Sequence, residues 1–497
     1  MTSVPSPSAA ATARLAAIAV AVPVAAVAVA VVAVRAAAAV AAVRGADPAV
    51  PFPPLVDVRY QMTAAATDRV HEIGPEPSIE RTTLANGIRI ITERMPEATS
   101  VSAGIYVRVG SRDEPDELSG ASHFLEHLLF KGTATRSARS IAMAIDAVGG
   151  EMNAFTTREQ TAYYTRLPVG QLAFGLELLG DVISEPAFRA NEIDAEREVI
   201  LDELMMAEDT PDDVLHMRLL ESMFPGHALG RETLGSEESI EALERDQIAG
   251  FHAHHYRPAN LVVAAAGALE HDDVVAGVDR LFPDGDRGAK PERTAPAAPL
   301  EPIVVVHRPI EQAHVSFGWH ALAHDDPDRY AFYVANQVLG GGMSSRLFQE
   351  IREERGLAYT VYSSMSSYSD TGLATIYAGT APKNLAEVTS LMDSILDGML
   401  ADGITDEEHA VALGYLEGSM LLGLEDSGSR MGRLGGSMVV RDDVISIASH
   451  LSQIKAVTID DVNRVLHRVF TGPRTIAAVG PFDETDPALV AALAHTR

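Results

Sequence analysis

Apolar and polar positions along this chain follow two alternating rhythms. Between Thr82 and Ile91 a period of two is interrupted at Asn86-Gly87, which predicts two strands joined by a tight turn. Val101 to Val109 (VSAGIYVRV) reads as a further strand. From Ser119 to Phe130 the period lengthens. Phe124, Leu125, Leu128 and Leu129 then share one helical face, with Ser119 suited to cap the start and Gly132 the end. Asn191 to Thr210 predicts a longer helix, stopped before Pro211. Strands and helices keep alternating up to Leu261–Gly267, LVVAAAG.

The order then repeats. Val315-Ser316-Phe317-Gly318 echoes Val101-Ser102-Ala103-Gly104 at an offset of 214, and Ile476 to Gly480 echoes Val263 to Gly267 at an offset of 213. A near-constant offset at both ends predicts two homologous domains, 76–283 and 301–497. Residues 284–300 join them, with the Pro, Ala, Gly and charge of a linker. The fold class is α+β, each domain an antiparallel-rich sheet with packed helices.

Candidate chemistry sits on the first amphipathic helix. In His123-Phe124-Leu125-Glu126-His127 the two imidazoles lie one turn apart on one face, close enough to share a metal ion, with Glu126 beside them. This order inverts the commoner His-Glu-x-x-His and is the HxxEH inverzincin signature. Catalytic zinc takes three protein ligands, and the chain has no cysteine, so the third must be His, Asp or Glu. The 191–210 helix places Glu196, Val199, Ile200 and Glu203 along one face. Carboxylates beside apolar residues need a compensating partner, although a helix this rich in Glu and Arg also suits a salt-bridged surface. Glu203 lies 76 residues after His127, and Glu196 one heptad earlier. In the second copy the equivalent stretch, Ala331 to Val338, carries no ligands, so one chain holds one site. His252, His254, His255 and His320 lack partners at ligand spacing and read as structural or surface residues.

These features together resemble the pitrilysin and mitochondrial processing peptidase family. Gly149 to Glu159 (GGEMNAFTTRE) matches that family's GGxxNAxTxxE segment, and Arg352 to Tyr359 (REERGLAY) its C-terminal Arg and Tyr pair. Gly340 to Leu347 (GGGMSSRL) resembles the glycine-rich stretch leading into that pair, and the likeness runs from about Ile79 to Gly480. The resemblance implies a zinc metalloendopeptidase with one Zn²⁺ per chain. It makes His123, His127 and Glu203 the ligands, Glu196 their supporting carboxylate and Glu126 the base that activates water. Asn153, Ala154 and Phe155 become a strand edge that holds the substrate backbone. Arg352 and Tyr359, seven apart and on one face if the stretch is a helix, become groups that reach the substrate near zinc; the alternative is one more charge on a surface helix and a packing tyrosine that begins the next strand. It further implies peptides or extended unfolded segments as substrates. The chain would be half of a clamshell chamber, closed by a second copy or by a related subunit. The family's zinc-less members supply the alternative, a non-catalytic substrate-binding or assembly subunit of a processing peptidase.

Charge narrows the partners. With 69 acidic against 39 basic residues the formal charge is −30, which excludes a nucleic-acid partner and permits attraction of cationic peptides. The 47% hydrophobic and 22% charged content belongs to a folded globular protein. Residues 1–75 form an Ala/Val-rich extension in which Leu15 to Val34 is long and apolar enough for a membrane anchor or export signal. The run opened by Met62 resembles an ordinary cytosolic start. The expectation is therefore a cytoplasmic protein with a dispensable extension; the alternative is a protein anchored or exported through 15–34.

Overall fold

The computed structural model describes residues 79–283, 285–482, 485 and 489–490. The extension, including 15–34 and Met62, lies outside them, and no described helix is long and apolar enough to cross a membrane.

Two sheets organise the chain. The first contains β1 (Ile79–Thr83), β2 (Arg89–Arg94), β3 (Ser100–Val107), β4 (Glu151–Thr156), β5 (Thr161–Pro168) and β6 (Leu261–Gly267), in the order β1-β2-β6-β3-β5-β4. The second contains β7 (Ile303–His307), β8 (Ala313–Ala321), β9 (Ala358–Ser367), β10 (Gly372–Thr380) and β11 (Arg474–Gly480), in the order β7-β11-β8-β10-β9. Apart from β1, the two orders are the same. In each, the last strand in sequence inserts between the first two of the shared five, β6 between β2 and β3 and β11 between β7 and β8; the pairs β2/β6 and β7/β11 are parallel and the others antiparallel. The β1/β2 turn contains Gly87 at φ +104°, the left-handed region that glycine enters without strain.

Five helices carry the site or join the two halves: α1 (Ala121–Leu129), α2 (Ala190–Asp209), α3 (Pro211–Met223), α4 (Arg329–Leu339) and α5 (Ser427–Arg441). α1 lies on the first sheet with Phe124, Leu125, Leu128 and Leu129 buried, and α2 packs across it. α4 is the counterpart of α1 in the second domain and is buried along most of its length. The remaining two cross over. α3, from the first half, packs its Leu215, Leu219 and Met223 against Tyr377, Ala477 and Val479 of the second sheet. α5, from the second half, packs Met431, Leu434 and Met438 against Tyr106, Val262 and Ala264 of the first. Glu93 of β2, fully buried, is held there by the guanidinium groups of Arg430 and Arg433.

The structure corrects several local expectations. α1 begins at Ala121, not Ser119, and ends at Leu129, so neither Ser119 nor Gly132 caps it. Its start is tied instead by Glu114, whose carboxylate accepts from the Gly120 N–H (2.8 Å) and the Ser122 N–H (2.7 Å). This caps from outside the helix, which local spacing does not reveal. Val199 is 38% exposed rather than buried beside Ile200. The 284–300 segment is not a bare tether: Arg293 donates to both oxygens of buried Asp113 at 2.8 and 2.7 Å and to the Glu159 carbonyl at 2.8 Å. Arg352 and Tyr359 do not share a helix. Arg352 lies in a π-helical turn, Phe348–Glu354, and Tyr359 in β9.

Candidate metal centre

The α1 face turned to α2 carries the imidazoles. Their ring centroids are 4.7 Å apart. From α2, Glu203 Oε2 lies 3.4 Å from His127 Nε2 and 3.7 Å from His123 Nε2. Ligand atoms of His123, His127 and Glu203 all fall within 4.8 Å of one another, and among the described residues theirs is the one such grouping. Two imidazoles and one carboxylate, partly buried, are the donor set of a catalytic zinc site with an open fourth position, so these residues fit the ion.

Glu196, two turns earlier on α2, takes a different place. Its Oε2 is 3.1 Å from His127 Nδ1, and its Oε1 is 2.5 Å from Lys131 Nζ. A carboxylate only accepts, so Nδ1 carries the proton and Nε2 is the atom left for a metal. Burial opposes charge on the His127 ring, yet Glu196 and Glu203 hold its pKa up at about 9. A metal ion held by His127 would take the place of that second proton.

Glu126 faces the β4 end of the cluster. Burial pushes its carboxyl above the usual range, and Glu203 adds to this against the pull of Thr156 and His127. A carboxyl raised in this way is better matched to taking a proton and returning it near neutral pH.

β4 is the outermost strand of its sheet, next to β5 only. Ala154 is buried in the core shared with α1, Asn153 is exposed, and Phe155 turns to the opposite face, near Tyr106 and Tyr164. A ligand along this edge would therefore meet backbone first. In the second domain the Arg352 guanidinium stacks between the rings of Phe348 and Tyr359, 4.7 Å from each centroid. Tyr359 is 56% exposed, so it is no packing residue. The Arg352 guanidinium also lies 3.7 Å from the Glu353 carboxylate.

Sequence reasoning missed Glu114, Lys131 and the Glu159 network. Glu159 closes the GGEMNAFTTRE run and joins the halves: it accepts from Arg112 at 2.6 Å and from the Ser369 hydroxyl at 2.7 Å, while Arg112 also donates to Asp370.

Residues 89–237 match the family model described as insulinase, peptidase family M16, and residues 242–414 match the peptidase M16 inactive domain. An uncharacterized zinc protease of Streptomyces coelicolor is 43% identical over 424 residues, 83% of this chain and 91% of that protein. The uncharacterized zinc protease YmxG of Bacillus subtilis is 36% identical over 81% of this chain and 98% of its own length. A protease from Helicobacter pylori shares the fold at a TM-score of 0.75 and 23% identity, covering 81% of this chain and 99% of that one. A Pseudomonas fluorescens structure described as a peptidase M16 inactive domain does so at 0.76 and 22%, over 82% of this chain and 100% of that one. With relatives this similar along four-fifths of its length, and with an HxxEH helix facing a glutamate, the chain belongs to the M16 family of peptidases.

Proposed function

We propose that this chain is a zinc-dependent endopeptidase that cleaves peptides or extended unfolded segments. The observation that carries this reading is the His123, His127 and Glu203 cluster, within 4.8 Å, with the Glu126 carboxyl beside it. Bound zinc supplies Lewis acidity to water and to the scissile carbonyl. Glu126 takes the proton of the attacking water and passes it to the leaving amine. Glu196 holds His127 in the tautomer that presents Nε2. Asn153–Phe155, at a sheet edge, hold the substrate backbone as an added strand, which selects extended chains over folded ones. Arg352 and Tyr359 donate to the developing oxyanion from a second chain that closes the chamber.

The match of residues 242–414 to an inactive-domain model begins beyond α1 and α2 and takes in α4, which carries no ligands, and so leaves the α1 site untouched. Metal analysis of the purified protein, paired with a fluorogenic-peptide assay before and after chelation, tests the reading. About one zinc per chain and cleavage abolished by chelator and restored by zinc support it. A chain that binds no zinc and cleaves no peptide is instead a substrate-binding or assembly subunit.

A further inference from the structure

The bonds around His127 extend one residue beyond the donor cluster. Glu196 has a donor on each oxygen: His127 Nδ1 on Oε2 and Lys131 Nζ on Oε1. The two donors stand four residues apart, His127 on α1 and Lys131 in the turn just past its end, so one short stretch of chain grips both oxygens. The Glu196 side chain is only 6% exposed. The terminal torsion of a glutamate is soft, and a carboxylate held by one oxygen alone swings about it. The second donor removes that freedom.

The loop bearing Lys131 is itself clamped. Its carbonyl accepts from Arg189 Nη1 at 3.4 Å, the Thr133 carbonyl accepts from Arg189 Nη2 at 2.8 Å, and the Ala187 N–H donates to the Gly132 carbonyl at 3.1 Å. Gly132 has φ +120°, and a Cβ there would sit 2.6 Å from the Arg136 carbonyl oxygen. Glycine alone permits this reversal directly after Lys131. An ion pair between two exposed side chains contributes little, because it is screened and orders two long side chains. Here the acid is buried and the lysine backbone is already tied, so screening is weaker and only the Lys131 side chain remains to be ordered.

We propose that Lys131 is a positioning residue of the metal site: by binding one oxygen of Glu196 it fixes the plane of the carboxylate that orients His127, and thereby strengthens zinc binding. The inference rests on the zinc reading of the preceding section. Lys131 acts through Glu196. A direct effect of its charge on a nearby cation has the opposite sign, since removing a like charge tightens binding.

The test measures zinc dissociation constants by chelator competition on metal-free protein, for wild type, Lys131→Met, Lys131→Arg, Glu196→Gln and the Lys131→Met/Glu196→Gln double variant. Thermal unfolding of each metal-free form is recorded alongside. Removing a partner that touches a metal ligand typically weakens binding about 10- to 100-fold. Lys131 stands one step further out, so Lys131→Met is expected to weaken zinc about 3- to 10-fold, with most of the loss recovered by Lys131→Arg. In the Glu196→Gln background the same change is expected to add nothing, because the residue it acts through is gone. A merely structural lysine would lower the unfolding midpoint in both backgrounds and leave zinc affinity alone. Equal or tighter zinc binding in Lys131→Met overturns the inference, as does a loss that persists with Glu196→Gln. Wild type that binds no zinc overturns the metal reading and this inference together. Wild type that binds zinc, with Lys131→Met unchanged, overturns the inference alone.

Discussion

Gly104 of β3 lies directly beneath Met431 of α5, so that a Cβ on the glycine would sit 2.7 Å from the methionine sulfur. Its repeat equivalent, Gly318 of β8, stands in the same relation to Met223 of α3, at 2.9 Å. Each domain thus lends a helix to the other's sheet, and a glycine in the middle strand lets the helix approach. Gly435 of α5 takes this further. A Cβ there would meet ring atoms of Tyr106 at 2.2, 2.4 and 2.5 Å. Tyr106 is buried and its ring has nowhere to turn, whereas a methionine adapts its thioether. Gly435→Ala is therefore expected to cost about 1–3 kcal/mol of stability, and Gly104→Ala less, as read by denaturant unfolding. The reverse ranking would show that the Met431 contact is the tighter one.

The exchange of helices also predicts that the halves do not fold apart. In a chain of residues 76–300 the β3 and β6 face bearing Tyr106, Val262 and Ala264 loses its cover, and α3 loses its sheet. Such a fragment should aggregate or unfold without cooperativity, and co-expression of residues 301–497 should rescue it. A soluble fragment with a sharp thermal transition would contradict this.

The two carboxylates of α2 should separate by metal affinity. Glu203 offers a donor atom to the candidate cluster, so Glu203→Gln should abolish tight zinc binding. Glu196→Gln removes only the support of His127 and should weaken it about 10- to 100-fold. Zinc titration of both variants decides, and a larger loss at Glu196 would exchange their roles.

At Glu126 the expectation is the converse. Glu126→Gln should keep about one zinc per chain while turnover falls by orders of magnitude, because the proposed proton acceptor is lost and the donor cluster is intact. Loss of zinc in this variant would make Glu126 a ligand.

Arg352 and Tyr359 carry a prediction about assembly. If a second chain supplies them, Tyr359→Phe should lower turnover about 10²- to 10³-fold, as loss of one oxyanion donor does. Mixing it with inactive Glu126→Gln chains should restore activity, since a mixed dimer recovers one complete site. Mixed dimers without activity would place Tyr359 with the zinc of its own chain or outside catalysis.

Much of the architecture was legible because it is written in short-range periods. The α1 and α2 helices announce themselves by apolar spacing, and α2 spans Ala190–Asp209 where the pattern runs from Asn191 to Thr210. The internal repeat appears as an offset that two strand orders then share. Helix ends were less legible. Glu114 ties the start of α1 from outside the helix, a bond no local pattern contains.

His123, Glu126 and His127 lie within five residues, so helix geometry by itself determines that they share a neighbourhood. Glu196 and Glu203 share an α2 face by the same rule, but which of them meets Nε2 and which meets Nδ1 depends on how α2 crosses α1, and only the packing of the two helices decides that. The stacking of Arg352 on Tyr359 across a π-helical turn and a strand, the ties of Lys131 and Glu159, and the exchange of α3 and α5 have the same origin. Each joins side chains through a fold in which chain separation no longer measures distance, and spacing along a sequence encodes direction only within one element.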